Sequence, residues 1–165
     1  MAAYGTDEGF NQWLAAQGLT LPAGADVSIL RQIGSNYIDA AYEARLSCSQ
    51  RTGGFTQLLA WPRTGHRVNG QDVPNDLIPQ AWINAAYRAA YLEAINPGWA
   101  TGSTNPNRIT RREKVDVIER EFFSAADAQG GDAAAGINTD AIINGMVLPW
   151  LCSDVRSINS LMMVV

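Results

Sequence analysis

The side chains able to do chemistry are few and scattered. His66 is the one histidine. It stands in a basic, glycine-flanked loop with no serine or cysteine nucleophile beside it, so a catalytic triad would need distant parts. Cys48 and Cys152 lie far apart, with no CxxC pair and no second ligand cluster. That spacing disfavours both a zinc site and a disulfide scaffold, and the expectation is two half-buried free thiols in a reducing compartment. Glu119 and Glu121 are the most visible carboxylate pair. On a strand they share one face, which suits a solvated or subunit-contacting surface better than acid–base work. Gly53-Gly54 is not followed by Lys-Ser/Thr, so it is no phosphate-binding loop. Gly34 matches no dinucleotide-binding pattern and reads as a close-packing position. These residues predict a chain with no catalytic residue, no cofactor and no metal, and not an enzyme.

Charge placement says more. Twelve basic residues, all but Lys114 arginine, stand against sixteen acids, for a net charge of −4. Between Glu43 and Asp72 there is no acid, while Arg45, Arg51, Arg63 and Arg67 fall there. Between Glu93 and Glu113 there is again none, with Arg108, Arg111 and Arg112. Guanidinium groups pair in bidentate fashion with carboxylates and phosphates and are weakly hydrated, which suits interfaces. Two arginine-bearing loops on an acidic protein therefore point to an acidic partner or a DNA backbone, with Arg51, Arg63 and Arg67 as candidate partner-binding residues. The overall negative charge weighs against a protein that lives on electrostatic attraction to nucleic acid.

The elements that must position these residues follow from periodicity and caps. Thr6 caps a short helix with Asp7 and Glu8 in its first turn; Phe10, Trp13 and Leu14 form its inner face, and Gly18 stops it. Asp26 caps a long helix to about Leu46, with Leu30, Ile33, Tyr37, Ile38, Ala41 and Ala44 at helical spacing. Residues 47–77 lose that period, and so long an irregular stretch in a compact domain is usually functional. Pro79 suits the first turn of a third helix that ends at Asn96-Pro97-Gly98. Residues 108–123 read as an extended or hairpin segment. Asn138 or Thr139 caps a last helix that Pro149 kinks or ends.

The 165 residues are 47% hydrophobic and 17% charged, below the usual ~25% charged. This excludes a generic disordered chain and leaves a folded domain with a lightly charged surface. No run reaches ~18 apolar residues, so no membrane span is expected, and Met1–Thr6 lacks the marks of a secretory signal. The expected fold is mainly α, a small bundle of three or four helices with a long irregular loop and one hairpin element. Residues 1–123 form the core, 124–136 a flexible linker, and 137–165 a C-terminal helix and docking tail. The tail ends in Leu161, Met162, Met163 and Val164, apolar side chains that need cover, expected from another subunit.

The run Gln57-Leu58-Leu59-Ala60-Trp61-Pro62-Arg63-Thr64-Gly65 resembles a signature of small tailed-bacteriophage head–tail adaptor (head–tail connector, head-completion) proteins. Ile78-Pro79 with an Ala-rich helix, Arg112-Glu113-Lys114-Val115 and Glu119-Arg120-Glu121-Phe122 follow in the family's order. The Tyr4-Gly5-Thr6 opening matches as well. Some members of that family carry a "DnaT-like" label. Asp116-Val117 replaces the family's Gly-Pro turn. The resemblance implies a virion protein of the neck, made in the host cytoplasm. It would form a dodecameric ring between the portal protein and a tail terminator, tail-tube or collar protein, with packaged DNA passing through without specific binding. The rival reading is a single-stranded DNA-binding module. It would need aromatic stacking platforms among basic groups. Trp61, between Arg51 and Arg63, is the best candidate for one, although its following proline makes it read first as a core anchor.

Overall fold

The structure is a computed structural model that describes residues 2–102, the backbones of two strands at 112–115 and 118–121, and residues 137–152. Helix α1, Asp7–Ala16, begins where the Thr6 hydroxyl accepts the Gly9 N–H at 3.0 Å. It ends in a Schellman turn, in which Gly18 (φ +66°) donates to Ala15 O and Leu19 donates to Leu14 O. Helix α2, Val27–Tyr42, is capped by Asp26 and tightens into a 3₁₀ turn over Glu43–Leu46. Helix α3, Gln80–Ile95, takes Pro79 as its cap, one place earlier than a first helical residue. Helix α4, Ala141–Val147, is capped by Asp140 and not by Asn138 or Thr139. Asp140 accepts from the Ile142 and Ile143 N–H groups and also holds Arg88 of α3 in a bidentate pair at 2.9 and 3.0 Å. Pro149 sits in the 3₁₀ turn Leu148–Trp150 that closes α4.

Among the described residues, three two-stranded ladders complete the mainly α fold. Strand β1, Gln50–Arg51, pairs antiparallel with β2, Arg63–Thr64. Strands β3, Arg67–Val68, and β4, Gln71–Asp72, form a hairpin around Asn69-Gly70, whose φ values of +51° and +80° are those of a type I′ turn. Strands β5, Arg112–Val115, and β6, Ile118–Glu121, pair with Arg112 opposite Glu121 and Val115 opposite Ile118. The expected hairpin is therefore present although Asp116-Val117 replaces Gly-Pro.

The inner stripes of the first three helices divide between two clusters. Tyr37, Trp82, Ala86 and Ala89 join Tyr4, Ile38, Trp61 and the α4 residues Ile143 and Val147 in the main core. Leu30 and Trp13 belong with Phe10, Leu14, Tyr87 and Ala90 in a second cluster under α1, and Ile33 is only half-buried. The alanines of α3 allow this, because they bury two faces of one helix. Gly34 lets α2 and α3 approach closely: a Cβ there would fall 2.1 Å from Ala86 O. The helix expected to belong to a separate C-terminal segment thus feeds the same core. The linker at 124–136 and the tail residues Leu161, Met162, Met163 and Val164 lie outside the described residues. No helix among the described residues is long and apolar enough to cross a membrane.

The cysteines correct the free-thiol expectation. Cys48 and Cys152 are joined in a disulfide, their Cα atoms 5.8 Å apart across a separation of 104 residues. Spacing in sequence carries no distance information here. The turn after α2 and the turn after α4 meet because both helices pack on α3.

Candidate nucleic-acid interface

The loop between α2 and α3 is built on Arg63. Its guanidinium is buried and donates to Ser49 Oγ (2.7 Å), Ala60 O (3.0 Å), Leu46 O (3.0 Å) and Ser49 O (2.6 Å). Burial lowers its pKa below the ordinary arginine value, opposed by Glu43, whose Oε1 lies 3.7 Å from Nη1. Glu43 also receives Arg51 Nε and Nη2, both at 2.6 Å, and this pairing raises the Arg51 pKa. Arg51 Nη1 donates to Gln57 O. Gln57 then staples the loop from inside: its amide donates to Leu59 O and Pro62 O and accepts from the Gly53 N–H.

Trp61, which precedes a cis proline, is fully buried, edge-on to Trp82, Trp150 and His66. Beneath it Asp39 accepts from Tyr4 Oη (2.7 Å), Ala60 N (2.8 Å) and Trp82 Nε1 (3.3 Å). Desolvation raises the Asp39 pKa, and those donors only partly offset it. His66 is buried too, and burial lowers its pKa.

The candidate partner-binding arginines are thus engaged within their own chain. Arg51 and Arg63 meet Glu43, and exposed Arg67 meets Asp72 at 2.9 Å and Gly70 O at 2.7 Å. The acids that bracket the acid-free run, Glu43 and Asp72, turn back onto Arg51, Arg63 and Arg67. Among the described residues, Arg45 is the arginine with no carboxylate within salt-bridge distance, and it is exposed. Leu59, Ala60, Trp61 and Arg63 of the Gln57–Gly65 run face inward, so what the loop offers outward is Leu58 within the run and Phe55 just before it. Phe55 is fully exposed on the 3₁₀ turn Gly54–Thr56, and Leu58 is 75% exposed. Thr52 ties this excursion to the rest of the loop through Thr64 Oγ1 (3.2 Å) and Asn75 O (2.7 Å). Sequence reasoning passed over Phe55. The available signal was a lone aromatic directly after Gly53-Gly54 in a stretch that is otherwise threonine and glutamine.

A rigid loop with a bare phenylalanine at its tip can stack on a flat π-surface. A family model described as "Putative DnaT-like ssDNA binding protein" matches residues 2–163. The chain belongs to that family. Membership in this DnaT-like family corrects the head–tail adaptor reading and the partners it implied: the ring, the portal protein, the tail protein and a DNA channel without specific binding. No curated protein and no solved structure matches the chain. The rival's proposed stacking residue also changes, because Trp61 is in the core and, among the described residues, the exposed aromatic side chain is Phe55.

Proposed function

We propose that this chain is a single-stranded DNA-binding module that grips backbone and base faces without reading sequence. The observation that carries the reading is the match of the DnaT-like ssDNA-binding family model to residues 2–163. The loop supports it physically. Phe55 and Leu58 stand in solvent beside a turn held by Gln57 and Arg51, so little ordering is needed when a base stacks there. Base–aromatic stacking contributes roughly 1–3 kcal/mol per base.

Phosphate contacts must come from elsewhere in the chain, since Arg51, Arg63 and Arg67 are already paired. Arg45 is available, and the stretch 94–112 contains Arg108, Arg111 and Arg112 with no acid. With a net charge of −4, attraction depends on these local groups, so affinity is modest and strongly salt-dependent. Four phosphate contacts would give a log–log salt slope of about −3. The role is one of binding without catalysis.

Fluorescence anisotropy of a labelled oligothymidylate tests the reading. Binding should appear at low salt and weaken with rising salt. Phe55→Ala should weaken it roughly 5- to 150-fold, and Arg111→Glu with Arg112→Glu should reduce the salt slope. A folded wild-type protein that leaves the oligonucleotide free at low salt would remove the proposal.

A further inference from the structure

His66 sits in an arrangement that DNA binding does not use. The ring is fully buried: Nδ1 lies 2.9 Å from Ser49 Oγ, and the Trp150 backbone acts on the ring as a hydrogen-bond partner, although Nε2 makes no bond of ordinary hydrogen-bond geometry. The same Nδ1 is 3.8 Å from Cys48 Sγ, and the ligand atoms of Cys48, Cys152 and His66 all lie within 4.8 Å of one another. Tetrahedral zinc, with Zn–S of about 2.3 Å and Zn–N of about 2.0 Å, holds its ligand atoms roughly 3.5–3.8 Å apart. The nitrogen is therefore already at the ligand–ligand distance of a tetrahedral site from one sulfur, and the second sulfur needs only to part from the first.

We propose that, once the disulfide is reduced, Cys48, Cys152 and His66 form a Cys₂His site for a zinc-class divalent cation. Two electrons and two protons from a dithiol, which itself closes to a disulfide, turn the S–S bond into two thiols. The cation then takes two thiolates, releasing both thiol protons to solvent, together with the imidazole nitrogen. Two thiolates and an imidazole favour zinc over hard cations such as magnesium or calcium. The dithiolate–cation unit is neutral, so it adds no charge beside Arg63. Ser49 Oγ gives up Nδ1 but keeps Arg63 Nε at 2.7 Å and the Leu46 carbonyl at 3.3 Å. Cys48 is exposed and Cys152 half-buried, which leaves an entry path and a fourth position for water. The site would keep the turn after α4 fastened to the turn after α2 under reducing conditions that cleave the disulfide.

The test is a Co²⁺ titration of the full chain, reduced without oxygen. One equivalent should give the visible bands of tetrahedral cobalt and a near-ultraviolet thiolate charge-transfer band. The disulfide form should show neither. Cys48→Ser and Cys152→Ser should lose the charge-transfer intensity, and His66→Asn should weaken binding by at least about tenfold. Where reduction lowers the helical circular dichroism, Co²⁺ should restore it. The proposal is overturned by a reduced, folded chain without these bands. Equal binding by the oxidised chain overturns it, as does full affinity in His66→Asn, or a reduced chain that unfolds and is not rescued by Co²⁺.

Discussion

The two sides of the α2–α3 loop divide the labour. Its inner side carries Gln57, Trp61, Arg63 and His66, all held by hydrogen bonds or aromatic packing within the chain. Its outer side carries Phe55 and Leu58, which touch little. The most distinctive residues in the sequence, Trp61 and Arg63, are thus the ones that shape the loop, and the side chains left to meet a ligand are the less conspicuous Phe55 and Leu58. Distinctiveness marked the scaffold, because the buried Arg63 guanidinium is what satisfies the Leu46, Ser49 and Ala60 carbonyls.

Substitutions on the two sides should therefore separate stability from binding. The largest effect is expected for Trp61→Ala, at roughly 3–5 kcal/mol in urea denaturation, for the loss of a fully buried indole and the cavity it leaves. Arg63→Ala should cost about 3 kcal/mol, because it strands the Leu46, Ser49 and Ala60 carbonyls. Phe55→Ala should change stability by less than about 0.5 kcal/mol. Equal losses at Phe55 and Trp61 would erase the distinction between the two sides.

Reduction of Cys48–Cys152 without added metal should lower stability by roughly 2–5 kcal/mol, given the long loop it closes, read by denaturation with and without a reductant. Asp140 should make α4 acid-sensitive. Its pKa is held down by the Arg88 guanidinium beside it, helped by the Ile143 and Ile142 N–H groups. Its contribution is therefore complete above the ordinary carboxylate pKa and is lost as pH falls through the lowered one. Asp140→Ala should cost about 1–2 kcal/mol at neutral pH and flatten that acid limb. A small effect is likewise expected for Arg67→Ala on the outer hairpin. An exposed pair such as Arg67–Asp72 is worth about 0–1 kcal/mol, so a larger loss would show that the hairpin is part of the scaffold.

Much of the helical frame was legible in the residues. Thr6, Asp26 and Gly18 do as local chemistry dictates, and Gly34 packs as its place in α2 suggests. Asp140 displaced Asn138 and Thr139 as a cap because it also answers Arg88, a tertiary demand that no local window contains. The Asn69-Gly70 hairpin was legible and overlooked. The disulfide and the burial of Arg63 were not, since both depend on which distant segments meet. The arginine-rich loop looked like a binding surface for the same reason. Glu43 lies outside the acid-free run, and only the fold brings it back over Arg51 and Arg63.

The most direct test is photocrosslinking of the full-length protein to an oligothymidylate carrying bromodeoxyuridine, followed by trypsin and mass spectrometry. The outer side of the loop should take the DNA, with the adduct in the peptide spanning 52–63 and on Phe55 rather than Trp61. An adduct on Trp61, or adducts confined to other peptides, would contradict the account.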